Sequence, residues 1–422
     1  MREDYLHYVW TTHQWHDTEL RTTNSQILEI LDRGTLNKDQ GPDFQLATVN
    51  INGIIWAGHV EMHVRSSDWN RHRHQNDPHY HNVILHVVWE HDTDVACNGR
   101  ILPTLELREY ISGIEMDRYA YLFDSVEEIP CRTLINSIPA HIINSQFEAV
   151  GIQRMIDKTD KMIRDAENLN GDFEALYFQY ICRYLVTPPN TQAMDLLLQK
   201  ISWKQLTSYQ DDLNNLEALF FGVSGLLPDS DDEYITDLHH RFRFIRHRNN
   251  FVNLPHTVWN LLRLRPSHFP TLRLAQICSY FHHYHRPLSF IIESHTLQEV
   301  LSHFGVTPSS YWSNHFQFSK ISKSGDHMIG NTTRTVLMIN VVVPILYAYG
   351  TVHFNKTLQE KSLLWMGELK AENNRYTRMW QDIGIDISSA RYSQACIHQF
   401  KQLCSVKKCI DCRIGHHILS KI

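Results

Sequence analysis

The sequence predicts an α+β fold, with a mixed β-sheet domain over residues 1–130 followed by a mainly α-helical domain over residues 131–422. Val- and Ile-rich runs between Phe44 and Trp89 alternate in places with polar residues, which is the period of a half-buried strand. The Asn52-Gly53 pair inside them signals a hairpin, because both residues accept positive φ. Beyond Pro130-Cys131, apolar residues recur at three- and four-residue spacing and are interrupted by prolines, as in successive helices.

In chain order, residues 4–14 predict a short amphipathic helix with Tyr5, Val9 and Trp10 inward. A strand is expected over Ser25–Asp32, closed by Arg33-Gly34. The runs Phe44–Asn52, Ile54–Arg65 and Asn82–Trp89 form the centre of the sheet, and Ile101–Arg108 follows the Asn98-Gly99 turn. A helix is expected near Asp68–His72. In the second part, helices are expected over Pro139–Asn168, Phe173–Val186, Thr191–Ile201, Leu213–Leu227, Glu233–Arg248, Thr257–Leu264 and Thr271–Tyr284. Others are expected at 296–304, 331–349, 355–369, 372–383 and 388–403. No fixed-period repeat is present, so a solenoid is not expected.

Hydrophobic content of 42% and charged content of 20% are those of an ordinary globular chain. A net charge of -6 offers no global basic field to attract nucleic acid, although a local basic groove is compatible with it. No signal peptide is expected in the charged N-terminus, and Val336–Ala348 is too short an apolar run to span a bilayer. A cytoplasmic protein without membrane association is expected, with its eight Cys as thiols or metal ligands. The unusual feature is 28 His, of which eight lie between His59 and His91.

Pro42-Asp43 is followed eighteen residues later by Glu61-Met62-His63. Asp43 precedes one strand of the hairpin, and Glu61 and His63 lie two apart on the other, on one face. Two carboxylates so placed hold a hard divalent cation, Mg²⁺ or Mn²⁺. Gly41-Pro42-Asp43 is equally a good turn, and Glu61 with His63 equally a buried hydrogen-bonded pair. The connection after the hairpin adds Asp68, His72, His74, Asp77 and His81, which offer Zn²⁺, Mn²⁺ or Fe²⁺ an imidazole and carboxylate shell. His63 and His86 meet if their strands are neighbours. A second cluster is Cys404-x4-Cys409-x2-Cys412, with Cys131, Cys396, His416 and His417 as candidate fourth ligands for Zn²⁺ or a [4Fe–4S] cluster.

The Pro42-Asp43, Glu61, His63 pattern resembles the PD-(D/E)xK nuclease superfamily, with His63 where that family carries Lys. The resemblance implies a restriction-endonuclease-like first domain, cleavage of nucleic acid, and Glu29 in an upstream acidic role. It also implies Cys131 as the remote ligand of a C-terminal cluster, a pattern found in some of those nucleases. Over nearly the whole chain, GPDFQLATVNINGIIWAGHVEMH, LEALFFGVSGLL, LRLRPSHFPTLRLAQ and KKCIDCRIG resemble an uncharacterised bacterial family. The expectation is therefore a metal-dependent nuclease-like protein with Asp43, Glu61, His63 and Glu29 at its site. The alternatives are a non-enzymatic binding protein with a structural Cys site and a His/carboxylate metal hydrolase of small molecules.

Overall fold

A computed structural model describes residues 2–420, apart from residues 14, 16–18, 38, 112 and 187. The chain forms two compact units. One comprises Met1–Phe147 with Gln399–Ile422, and the other Glu148–His398. The composition change at 130 is therefore not where the units divide. The C-terminal segment expected in the helical part belongs with the sheet, held there by buried amides and thiols from residues 131–147.

The first unit opens with helix α1 (Glu3–Thr12), which buries Tyr5, Leu6, Tyr8, Val9 and Trp10. Its sheet has β1 (Ile27–Asp32), β2 (Phe44–Ile51), β3 (Ile54–Arg65), β4 (Val83–Glu90) and β5 (Thr104–Glu106) side by side in that order. Leu20–Arg21 pairs with the outer edge of β1, and Thr35–Leu36 pairs with β2. The pairs β1–β2 and β2–β3 are antiparallel, while β3–β4 and β4–β5 are parallel. The sheet is thus mixed, as expected. Asn52 and Gly53 both take positive φ at the β2–β3 turn, which is what a tight hairpin demands. The parallel β3–β4 pair requires a crossover, and the His-rich segment supplies it with the short helix α2 (Asp68–Arg71).

One irregularity places the site. Phe44 pairs with Val60 and Ala47 with Gly58, so β2 carries one more residue than β3 between these pairs. Leu46 within this bulge has φ 60 and an exposed side chain. A bulge turns a strand locally and re-aims its end, and here Asp43 faces Glu61.

The second unit is helical, packed around residues such as Phe178, Phe220, Tyr280, Trp312 and Trp365. Most expected helices are present, including Phe173–Leu185, Leu213–Ser224, Glu233–Asn249 and Pro270–His283. The helix expected over Thr257–Leu264 is absent. Only a single 3₁₀ turn, His256–Val258, forms there. The reason is tertiary: buried Asn190 accepts from the Asn260 N–H at 2.7 Å and donates to its carbonyl at 2.9 Å, which fixes that segment as non-helical. Residues Asn331–Val352 form one 22-residue helix, long and apolar enough to cross a membrane by length and composition, with most of its apolar stretch buried in this unit. A π turn over Met338–Val342 precedes Pro344, whose ring and missing N–H interrupt regular helical bonding.

Candidate metal centre

Glu61 and His63 project from the same face of β3, and parallel pairing sets His86 of β4 opposite Glu61. His63 and His86 do meet: His63 Nδ1 lies 2.9 Å from His86 Nε2, with both rings buried. On its other side, His63 Nε2 lies 3.1 Å from Nδ1 of His72, the residue after α2. His74 follows in the crossover, its ring stacked on Tyr80 at 3.8 Å between centroids. Its Nε2 is 3.3 Å from Glu61 Oε1, which is itself 3.7 Å from His63 Nε2. One ligand atom from each of His63, His72 and His74 lies within 4.8 Å of the others. Trp69, fully buried, sets its ring against His63, His74 and His86, so the imidazoles are clamped by packing as well as by hydrogen bonds.

Asp43 and Glu61 are tied to each other. The Asp43 N–H donates to Glu61 Oε2 at 3.1 Å, and Asp43 Oδ2 accepts from the Met62 N–H at 2.9 Å. Asp43 Oδ2 also lies 3.2 Å from Nε2 of His7 on α1. One turn earlier on α1, Glu3 has its carboxyl pushed upward by burial and then by the Asp43 charge. Glu3 and His7 are four apart, so one helix face delivers both to the sheet.

Electrostatics define what the centre lacks. Burial, then the Asp43 charge, raises the Glu61 carboxyl to about 9. Burial, then neighbouring imidazoles, lowers His63 to about 2 and His86 to about 3. Without a cation, burial thus favours the protonated Glu61 carboxyl and the neutral rings of His63, His74 and His86, and neutral imidazole is the metal-binding form. Donors about 2.0–2.1 Å from a tetrahedral Zn²⁺ lie about 3.4 Å from one another. Three of the six separations among His63, His72, His74 and Glu61, at 3.1, 3.3 and 3.7 Å, bracket that value, and the three imidazole donors as a set lie within 4.8 Å.

A family model matches residues 3–375. The chain belongs to the DUF2851 family. Its description is a protein of unknown function, in keeping with the resemblance to an uncharacterised family drawn from the sequence. No curated protein and no solved structure matches the chain. The DUF2851 match spans every donor of the His/carboxylate centre and stops before the C-terminal cysteines.

Of the expected site residues in this DUF2851 protein, Asp43, Glu61 and His63 come together, and Glu29 does not. Glu29 pairs in register with Asn50 and accepts from that residue's side-chain amide at 3.2 Å, close to the Asn52-Gly53 turn. Asp43 lies at the opposite end of the same strand. In an antiparallel pair the strand order of residues reverses, which carries Glu29 away from Asp43. The acidic residue beside the centre is Glu3. Of the crossover residues, Asp68 accepts from the Arg65 N–H and pairs with Arg71 at 3.0 Å. Asp77 caps His79, and His81 is exposed. Glu3 and His7 had one available signal, their four-residue spacing on the predicted first helix.

The four cysteines expected to bind a metal lie in one unit, but among the described residues only His63, His72 and His74 bring three ligand atoms within 4.8 Å of one another. Cys131, Cys404, Cys409 and Cys412 are all buried and free of disulfides. Cys131 and Cys409 are raised to about 12 by burial and then by neighbouring sulfurs, which for Cys131 are those of Cys412 and Cys409. Buried Gln399 donates from Nε2 to Cys412 Sγ at 3.3 Å and to Cys404 Sγ at 3.6 Å. Its orientation is fixed: Gln399 Oε1 accepts from Gln146 Nε2 at 2.7 Å, and Gln146 Oε1 accepts from the Arg413 N–H at 3.0 Å. Backbone N–H groups of Gly415 and Ile414 also point at Cys412. These donors offset only part of the effect of burial, which raises Cys404 and Cys412 as well and favours the protonated thiols in the absence of a metal.

Proposed function

We propose that the His/carboxylate centre binds a divalent transition ion and hydrolyses phosphodiester bonds in nucleic acid. The observation that carries this reading is the approach of the His63, His72 and His74 ligand atoms to within 4.8 Å of one another, with Glu61 Oε1 3.3 Å from His74 Nε2 and 3.7 Å from His63 Nε2. Two carboxylates alone would suit Mg²⁺, while three imidazoles shift the preference toward Zn²⁺, Mn²⁺ or Fe²⁺. His63, His72, His74 and Glu61 would hold the ion, with Asp43 beside Glu61. When bound, such an ion lowers the pKa of water and stabilises charge developing on phosphate. The chain's own groups do the rest. His86 fixes the His63 ring through Nδ1, leaving Nε2 for the ion, and the His7 ring, 3.2 Å from Asp43 Oδ2, orients that carboxylate. The nuclease assignment is supported by the resemblance of Asp43 at the hairpin mouth, Glu61 facing it and His63 in the Lys position; the upstream acidic role that the resemblance gives to Glu29 is proposed here for Glu3, whose carboxyl feels the Asp43 charge.

The Cys131, Cys404, Cys409 and Cys412 set is proposed to hold Zn²⁺ or a [4Fe–4S] cluster, with Gln399 donating to two of its sulfurs. Anaerobic purification without a tag, followed by metal analysis and an absorption spectrum, tests both centres. Iron with a broad band near about 400 nm places a cluster at the cysteines, and its loss in Cys404→Ser and Cys412→Ser confirms the ligands. Cleavage of labelled single- and double-stranded DNA and RNA is then measured with Mn²⁺, Zn²⁺ and Mg²⁺. Activity is expected with a transition ion and is abolished in Asp43→Asn and Glu61→Gln. A metal-free centre that neither takes up these ions nor cleaves any of the substrates overturns the proposal.

A further inference from the structure

The helical unit contains an uncompensated buried cation. Arg273, on the helix Pro270–His283, is only 4% exposed. Its Nη1 donates to Gln276 Oε1 at 2.8 Å and its Nη2 to Thr333 Oγ1 at 3.4 Å, both neutral acceptors. Its Nε is buried with no acceptor. Among the described residues, no Asp or Glu pairs with it. Burial alone lowers this guanidinium to about 10. Gln276 is itself held by donating to the His327 carbonyl at 2.7 Å, so the side chain that orients Arg273 is locked. A buried charge without a partner is strongly unfavourable, and well-packed apolar side chains commonly replace such groups at no loss. Arg273 must therefore find its counter-charge elsewhere.

Arg273 lines a cavity of about 600 Å³, within the range of about 300–1,000 Å³ typical of small-molecule sites. The same cavity is lined by Arg265 and His268 and, among the described residues, by no Asp or Glu. The helix Asn331–Val352 begins at its wall, where Asn331, Thr332 and Thr333 line the cavity. The residue before it, Gly330, has no side chain with which to cap the first N–H groups. An uncapped helix start adds N–H donors and a partial positive charge, a common anion-binding arrangement.

We propose that this cavity binds the phosphoryl group of a small, nucleotide-sized ligand. Arg273 anchors it from below, Arg265 and His268 close on it from the rim, and the Asn331–Thr333 turn donates N–H groups. The remainder of the cavity, lined by Tyr184, Val186, Phe316 and Val336, takes the ligand's less polar body. The site lies within the helical unit and stands whether or not the His/carboxylate centre holds a metal.

The test is thermal unfolding and titration calorimetry of the full chain with sodium phosphate and with adenosine monophosphate, against sodium chloride at equal ionic strength. A twelve-nucleotide single strand serves as the polymeric comparison. Phosphate and the mononucleotide are expected to raise the unfolding temperature beyond the chloride control, with the mononucleotide binding more tightly. Arg265→Gln, at an exposed side chain, is expected to leave the unliganded protein unchanged and weaken binding about tenfold or more. Arg273→Met is expected to abolish the shift while the unliganded protein keeps or gains stability. Should Arg273→Met fail to fold, that failure assigns Arg273 a structural role and counts against the proposal, unless Arg265→Gln shows the tenfold loss. No shift beyond chloride, an equal shift in both variants, or binding of the oligonucleotide alone overturns it.

Discussion

His72 provides the most direct test of the metal centre. Its ring is exposed, while His63 is buried and His74 is stacked on Tyr80. Replacing His63 or His74 would disturb packing as well as ligation, but His72→Ala removes a donor 3.1 Å from His63 Nε2 from a solvent-facing position. The metal-free variant is expected to unfold within about 0.5 kcal/mol of the parent, as surface substitutions do. Four-ligand Zn²⁺ sites bind with about 10–16 kcal/mol of apparent free energy at neutral pH. An even share per ligand is about 3 kcal/mol, so Zn²⁺ affinity should fall about a hundredfold. Competition with a chromophoric chelator at pH 7 measures this, and unfolding with and without Zn²⁺ supplies an independent reading. At saturating ion for the parent, the stabilisation lost should be about 2.7 kcal/mol for a hundredfold change. An affinity within threefold of the parent, or equal loss of stability with and without Zn²⁺, would refute ligation by His72.

Two further predictions concern stability. Glu217 is fully buried, accepts from Tyr234 and Ser309, and is raised by burial to about 7 from 4.5. Its raised value means that the folded state retains a proton that the unfolded chain releases above pH 4.5. The resulting stability is full below about pH 4.5 and is lost as pH rises to 7, a decline of about 3 kcal/mol. Glu217→Gln should remove this decline, so the variant gains on the parent between pH 5 and 8 in urea unfolding; a pH-independent difference would contradict it. At Gly415 a Cβ would sit 2.1 Å from the backbone oxygen of Cys409, a contact only backbone movement can relieve. Gly415→Ala should distort the cysteine cluster and lower its metal content to well below half of the parent's on elemental analysis. Unchanged metal content would separate that glycine from the cluster.

Local chemistry made much of the first unit readable. The Asn52-Gly53 turn and the Val/Ile runs specify β2, β3 and β4 within a residue or two. The same-face rule for alternate strand residues places Glu61 beside His63. Glu29 shows where this reasoning ends: its strand is readable, but which end of β2 it meets depends on antiparallel register. Glu3 and His7 lie some forty residues before Asp43, and only the docking of α1 brings them to it. His72 and His74 depend on the path of an irregular crossover. In the second unit, Thr257–Leu264 has helical spacing, yet two hydrogen bonds between Asn260 and Asn190, distant in sequence, outweigh its weak propensity.

The order of residues within the sheet-containing unit affects how the protein is made. Its first part ends at Phe147 and its last part begins at Gln399, with the entire helical unit between them. During synthesis, β1 to β5 emerge early, while Cys404, Cys409, Cys412 and the Gln399 amide emerge only after the helical unit has been translated. Domains fold in order as they leave the ribosome, so the helical unit can complete before its predecessor does. Cys131 precedes that unit, while Cys404, Cys409 and Cys412 follow it. The thiols of Cys404, Cys409 and Cys412 can therefore join Cys131 only after the helical unit has been translated, whereas every donor of the His/carboxylate centre precedes that unit.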